Sequence, residues 1–180
     1  SREYAEKNIL VIGDIILDAY IYGKVDRISQ EAPVPIVAID RKKFKPGGAA
    51  NVALNLSGLG ANVQLLGVTG DDSNAEELQN CFQESENIQL HLVKDKSRPT
   101  IVKTRIIADG KQVVRLDEEI TSEIRSLLIE ELIKVFNESC KDIDGIIIED
   151  YNKGALPKEI IYHIINHSSE HEIPVYVDPK

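Results

Sequence analysis

The run Lys45-Pro46-Gly47-Gly48-Ala49-Ala50-Asn51-Val52-Ala53 combines residue types and spacing suited to ligand chemistry. Two glycines lead straight into an apolar-periodic helix, so backbone N–H groups and the positive end of a helix dipole would face a bound molecule. Without side chains, Gly47 and Gly48 allow close backbone approach, and Asn51 projects an amide from the first turn. A polyhydroxylated or phosphorylated small molecule fits such a site. A junction tightened by glycines for packing is the plainer alternative. Acidic residues also recur where strands are predicted to end: Asp14 and Asp18, Asp150, and Asp178. Lys153 follows Asp150 closely, and the two could reach hydroxyls and phosphates or form a salt-bridged turn.

These groups need strands and helices to hold them. Asn8–Gly13 is an apolar run ending at Gly13-Asp14 and predicts a buried central strand. Residues 34–39 contain Pro35 and follow Pro33, which predicts an edge strand. Val52, Leu56 and Leu59 repeat at helical spacing from about Ala49, with Gly60 as the stop. Val63–Val68 predicts a strand, and an aspartate at 71 or 72 caps a helix to about Ser85. Ile101–Ala108 and Gln112–Leu116 flank Asp109-Gly110, a strong hairpin signal. Thr121 is predicted to cap a helix reaching Ser139, residues 145–148 form a strand, Pro157 starts a helix, and residues 174–177 begin a last strand.

Alternating strands and helices predict an α/β fold: a mostly parallel sheet with helices on both faces. The segments at about 20–40 and 100–117 fit no βαβ unit and are expected to form a small β lid over the site. In an open α/β sheet, ligands bind beyond the carboxyl ends of the strands, where these acids cluster. With 180 residues the chain is long enough for one domain with a substantial core.

A net charge of −9 opposes nucleic acid or an anionic membrane as the main partner, although a local basic pocket can still take an anionic metabolite. No apolar run approaches a membrane span, and a cytoplasmic location is expected. Cys81 and Cys140 read as packing residues in a reducing compartment. His163, His167 and His171 lie four apart in one predicted helix; a metal on one face and a solvated polar stripe both fit that spacing, and no metal site is assigned.

The stretches Val11–Asp18, Arg27–Pro35, Pro46–Ala53, Asp150–Leu156 and Val177–Lys180 together resemble the ribokinase-like (PfkB) carbohydrate kinases. Within that family the resemblance is to heptose-7-phosphate kinase domains of ADP-heptose synthesis, through Glu31-Ala32-Pro33-Val34-Pro35 and Asp150-Tyr151-Asn152-Lys153-Gly154. It implies that Asp18, with Asp14 beside it, accepts hydrogen bonds from sugar hydroxyls, and that Gly47, Gly48 and Asn51 belong to the sugar-site motif. This chain has two residues between Gly48 and Asn51 where many relatives have three. Lys103 and Arg105 match a Lys-x-Arg pattern that would hold the sugar's distal phosphate, Arg bidentately; exposed cations paired with carboxylates are the alternative. Arg115 and Asp117 match as well, though they could simply support each other, and Arg27 is a further lid candidate. Asp150 and Lys153 would contact substrate, and Lys180 the nucleotide.

The resemblance further implies ATP as donor, Mg²⁺ bridging its phosphates, a sugar phosphate as substrate, and a homodimer formed through the lid. In this family the catalytic base is an aspartate in a later Gly-Ala-Gly-Asp motif, which this sequence lacks. The chain is therefore expected to be the sugar-binding N-terminal part of a kinase, its nucleotide-binding remainder lying after Lys180, and to be inactive by itself. Two rivals stand beside this reading: a kinase of the same fold for another sugar or nucleoside, and a non-catalytic sugar-binding or association module.

Overall fold

The computed structural model describes residues 5–179. Its elements, in order, are β1 (Asn8–Ile28), β2 (Pro35–Gly48), α1 (Ala49–Gly58), β3 (Asn62–Thr69), α2 (Ser73–Asn80) and β4 (Ile88–Lys94). They continue with β5 (Ile101–Ala108), β6 (Lys111–Glu118), α3 (Ser126–Ser139), β7 (Gly145–Asp150), α4 (Lys158–Glu170) and β8 (Val175–Pro179).

The strand β1 organises everything else. Its first part, to Asp14, lies between β3 and β7 in a parallel layer ordered β4-β3-β1-β7-β8. Its second part, from Ile15, pairs antiparallel with β2 and parallel with β5, which pairs antiparallel with β6. One strand thus passes from the buried layer into a four-stranded lid ordered β2-β1-β5-β6. Residues alternate between faces with period two. Leu10 and Ile12 pack with Leu132, Phe136, Ile160 and Ile164 of α3 and α4. Val11, Ile15 and Leu17 pack with Ala50 and Ala53 of α1 and Leu78 of α2. Helices therefore cover both faces of the parallel layer.

The predicted strand at Asn8–Gly13 stops too early. Gly13 does not end it; it lets β1 approach β7 so closely that an added Cβ would lie 2.2 Å from the Glu149 carbonyl oxygen. Beyond it, β-branched and aromatic residues continue the alternation to Ile28. Likewise β2 runs to Gly48, well past the predicted edge strand, because it returns along β1. The helix predicted from Thr121 begins at Ser126. The preceding segment is held elsewhere: Arg98 Nη2 donates to the Ser122 carbonyl at 2.9 Å, and Ile124 N to that of Gly154 at 3.0 Å. Strand β4 has no counterpart among the predicted elements, although Ile88, Leu90 and Leu92 alternate with Gln89 and His91, the latter sharing a hydrogen bond with Gln64.

The turn chemistry is as expected at two places. Asp109 and Gly110 both have positive φ, 50° and 77°, as the tight hairpin between β5 and β6 requires. Asp72 caps α2, accepting from Ala75 N at 2.9 Å, and also accepts from Thr100 N and Oγ1. This ties α2 to the start of β5. Burial alone would raise the Asp72 carboxyl, but the bonds from Thr100, Ala75 and Asn74 outweigh it and hold the group below its ordinary value. A depressed folded value stabilises the fold above the unfolded value and is lost as pH falls through the folded one. The destabilisation caused by Asp72→Ala should accordingly be complete above about pH 4 and shrink below it, as read by denaturant melts of both proteins across pH.

Both cysteines are free thiols, and burial pushes Cys140 up to about 12, so it remains a protonated packing group. His163, His167 and His171 stack along α4, with Phe136 edge-on to the first two. Among the described residues no cluster of three His, Cys, Asp or Glu side chains could hold a metal ion, and no helix is long and apolar enough to cross a membrane.

Candidate active site

The site follows from strand register. On β1, Ile16, Asp18 and Tyr20 share one face. Directly opposite Asp18 stand Lys45 on β2 and Lys103 on β5; opposite Tyr20 stand Lys43 and Arg105. Cross-strand neighbours on one face lie within side-chain reach. One carboxylate is thereby surrounded by cations from the strands on either side. The result is a cleft of about 410 Å³ lined by Ile16, Asp18, Tyr20, Lys45, Pro46, Gly47, Gly48, Asn51, Lys103, Arg105 and Tyr151.

Within the cleft, Arg105 Nη1 donates to Asp18 Oδ1, and this bond raises the guanidinium's already high pKa. Arg105 and Lys45 both approach the Tyr20 ring, at 5.4 and 5.6 Å from its centroid, within cation–π range. Among the described residues, Lys45 and Lys103 have no carboxylate partner. Gly48 precedes α1 with φ 56°, ψ −137°, and an added Cβ would meet the Asp14 carbonyl oxygen at 2.4 Å. Gly47 leaves space for Asp18: a Cβ there would lie 2.7 Å from Oδ2. Gly47→Ala should leave the fold near wild-type stability, because Asp18 can rotate away, while weakening any ligand held by that carboxylate by about tenfold or more. Thermal melts and ligand titration of the same sample separate the two effects.

Six of the predicted residues meet in this cleft: Asp18, Gly47, Gly48, Asn51, Lys103 and Arg105. Three others lie elsewhere. Asp14 is fully buried beneath the cleft floor, and its Oδ2 accepts from Tyr151 N at 2.8 Å and Lys153 N at 3.1 Å. Burial raises its carboxyl, with the loop N–H groups pulling it back and Asp150 adding to the rise. Asp14 fixes the loop after β7 and does not line the cleft. Lys153 is buried and pairs with Glu119 at 2.6 Å, the salt-bridged alternative weighed from sequence, though with a different carboxylate. Asp150 accepts from Asn152 N at 2.8 Å in a local turn and does not line the cleft. Lys180 lies outside the described residues.

Off the cleft, Arg115 and Asp117 form a two-bond pair at 2.9 and 3.0 Å, so these i,i+2 charges do support each other. Sequence reasoning missed Tyr20, Lys45 and Tyr151. Lys45 stood inside the glycine motif, but its chemistry depends on facing Asp18 across β1–β2. Tyr20 could have been found by carrying period two onward from Asp18.

The profile of the pfkB family carbohydrate kinases matches residues 6–180. The bifunctional protein HldE of a Nitratiruptor species is 44% identical over 172 residues, covering 96% of this chain and 36% of that protein. This chain thus spans little more than a third of that relative's length. In fold, it matches a possible 1-phosphofructokinase from Thermotoga maritima with a TM-score of 0.73 at 17% identity, covering 96% of this chain and 54% of that one. Arabidopsis thaliana ribokinase, complexed with ribose and ATP, matches with a TM-score of 0.64 at 13% identity, over 96% of this chain and 53% of the ribokinase.

Proposed function

Because this chain belongs to the pfkB family of carbohydrate kinases, we propose that it forms the sugar-binding part of a cytoplasmic, ATP-dependent kinase acting on D-glycero-β-D-manno-heptose 7-phosphate. The enzyme transfers a phosphoryl group to the anomeric hydroxyl, supplying a lipopolysaccharide-core precursor. One observation carries the substrate class: Asp18, an acceptor for hydroxyls, sits among Lys45, Lys103 and Arg105, which suit a phosphate. The similarity to HldE supports the particular sugar.

In this reading Asp18 accepts sugar hydroxyls, and the first turn of α1 with Asn51 contacts others. Lys103 and Arg105 hold the distal phosphate. Asp14 and Lys153 act at one remove, by fixing the loop that places Tyr151 in the cleft wall. ATP would supply the phosphoryl group and Mg²⁺ would offset the negative charge on its phosphates; the described residues offer no three-ligand cluster for that ion, so none is assigned to it. In this reading the catalytic base is the aspartate of a Gly-Ala-Gly-Asp motif, which these 180 residues lack, and they are expected not to turn over ATP by themselves. Strand β6 is exposed along its whole length, which supports a lid-to-lid homodimer.

The test is a kinase assay of the full-length enzyme against heptose 7-phosphate, ribose, fructose and nucleosides. A clear preference for heptose 7-phosphate is expected; no preference rejects the substrate assignment.

A further inference from the structure

We propose that Arg105 is a specificity latch: its ion pair with Asp18 closes that carboxylate to sugars lacking a phosphate and opens when a phosphate captures the guanidinium. This deepens the sugar-phosphate reading above and rests on it.

The argument begins with what Asp18 has left to offer. An ionised carboxylate only accepts hydrogen bonds, through two oxygens. Oδ1 already takes Arg105 Nη1, and Oδ2 faces Gly47, whose missing Cβ leaves room there. A sugar hydroxyl must therefore compete with a charge-assisted bond at the first oxygen, and at the second it meets a carboxylate whose charge the guanidinium already offsets. Such bonds to ionised partners are about twice as strong as neutral ones, so a neutral sugar competes poorly.

A phosphate changes the contest. Lys45, Lys103 and Arg105 set three positive charges against the single negative charge of Asp18 in the same cleft. Among the described residues neither lysine has a carboxylate partner, so two positive charges remain uncompensated. A phosphate monoester carries about −1.5 to −2 at pH 7 and binds guanidinium bidentately. It matches that excess, which one carboxylate does not. Arg105 is anchored over Tyr20 and is partly exposed, so a modest swing toward the lysines can exchange one anion for the other. The swing leaves Asp18 free to accept hydroxyls. Phosphate recognition and hydroxyl recognition thus become one event, and an unphosphorylated sugar loses both.

A plain phosphate ligand or a residue that merely orients Asp18 predicts something different. Steady-state kcat/KM should be measured with the full-length enzyme on heptose 7-phosphate and on unphosphorylated heptose. Wild type should strongly prefer the phosphate. Arg105→Gln should lose about a hundredfold on heptose 7-phosphate yet gain several-fold on heptose, whereas Lys103→Gln should lose on the first with no gain on the second. Equal losses of Arg105→Gln on both sugars would overturn the latch, because Arg105 would then only orient the carboxylate. A second measurement needs no variant: millimolar inorganic phosphate should raise wild-type turnover of unphosphorylated heptose several-fold by drawing Arg105 off Asp18. No activation overturns the proposal. Equal wild-type turnover of the two sugars would instead reject the sugar-phosphate reading itself, which these two outcomes distinguish from failure of the latch.

Discussion

Asp18→Ala should lower kcat/KM of the full-length enzyme for its sugar about a thousandfold. In the proposed function the variant removes a charged acceptor of sugar hydroxyls; hydrogen bonds to charged groups contribute about 1.5–3 kcal/mol each, so a loss of about 4 kcal/mol, the size of two such bonds, is expected. The fold should survive, because Asp18 is only half-buried and lies where β1 has already left the parallel layer. Removing the carboxylate also leaves Lys45, Lys103 and Arg105 without their anion. Affinity for inorganic phosphate should therefore stay equal or rise while turnover collapses. Kinetics and a phosphate titration on one preparation check both halves. Near-normal turnover would remove Asp18 from sugar binding.

The second large effect is on stability. Asp14→Ala should destabilise the protein by about 3 kcal/mol, seen as a lower denaturant midpoint with an unchanged slope. The buried carboxylate receives the N–H groups of Tyr151 and Lys153, with Ala155 N further off at 3.4 Å. Alanine would strand those donors away from water. Asp14→Asn keeps one acceptor oxygen but turns an NH₂ toward the donors, so its loss should be intermediate. Because the same loop sets Tyr151 in the cleft, Asp14→Ala should also raise KM for the sugar at temperatures where the variant remains folded. A variant as stable as wild type would show that the loop finds its geometry without Asp14.

Those two aspartates show where reading residues in order succeeds and where it fails. From sequence, Asp14 and Asp18 look alike: both follow apolar runs on one stretch and match one motif. Four residues of period-two strand place them on the same face, and sequence can say that much. It cannot say that the loop after β7 folds back over Asp14 and leaves Asp18 to another partner. The partners are 137 to 141 residues away in the first case, and 87 in the second, where Arg105 is the partner. The same limit hid Lys45. Its charge was visible, but its neighbour Asp18 is set by the β1–β2 register.

Local signals proved sound where the determinant itself is local. Asp109-Gly110 specified its hairpin because two successive positive φ angles exclude most other residues. Asp72 specified the start of α2 because a side-chain oxygen there satisfies an orphaned N–H three residues on. Gly47-Gly48 specified a close backbone approach leading into a helix. Most element types, the parallel layer and the family were therefore written in the chain itself. The tertiary structure decided which charges meet: it buried Asp14, paired Lys153 with Glu119, and ranged Lys45 and Lys103 either side of Asp18. Backbone conformation is set within a few residues by sterics and hydrogen bonding, whereas ion pairing depends on strand register and on loops that close over long separations.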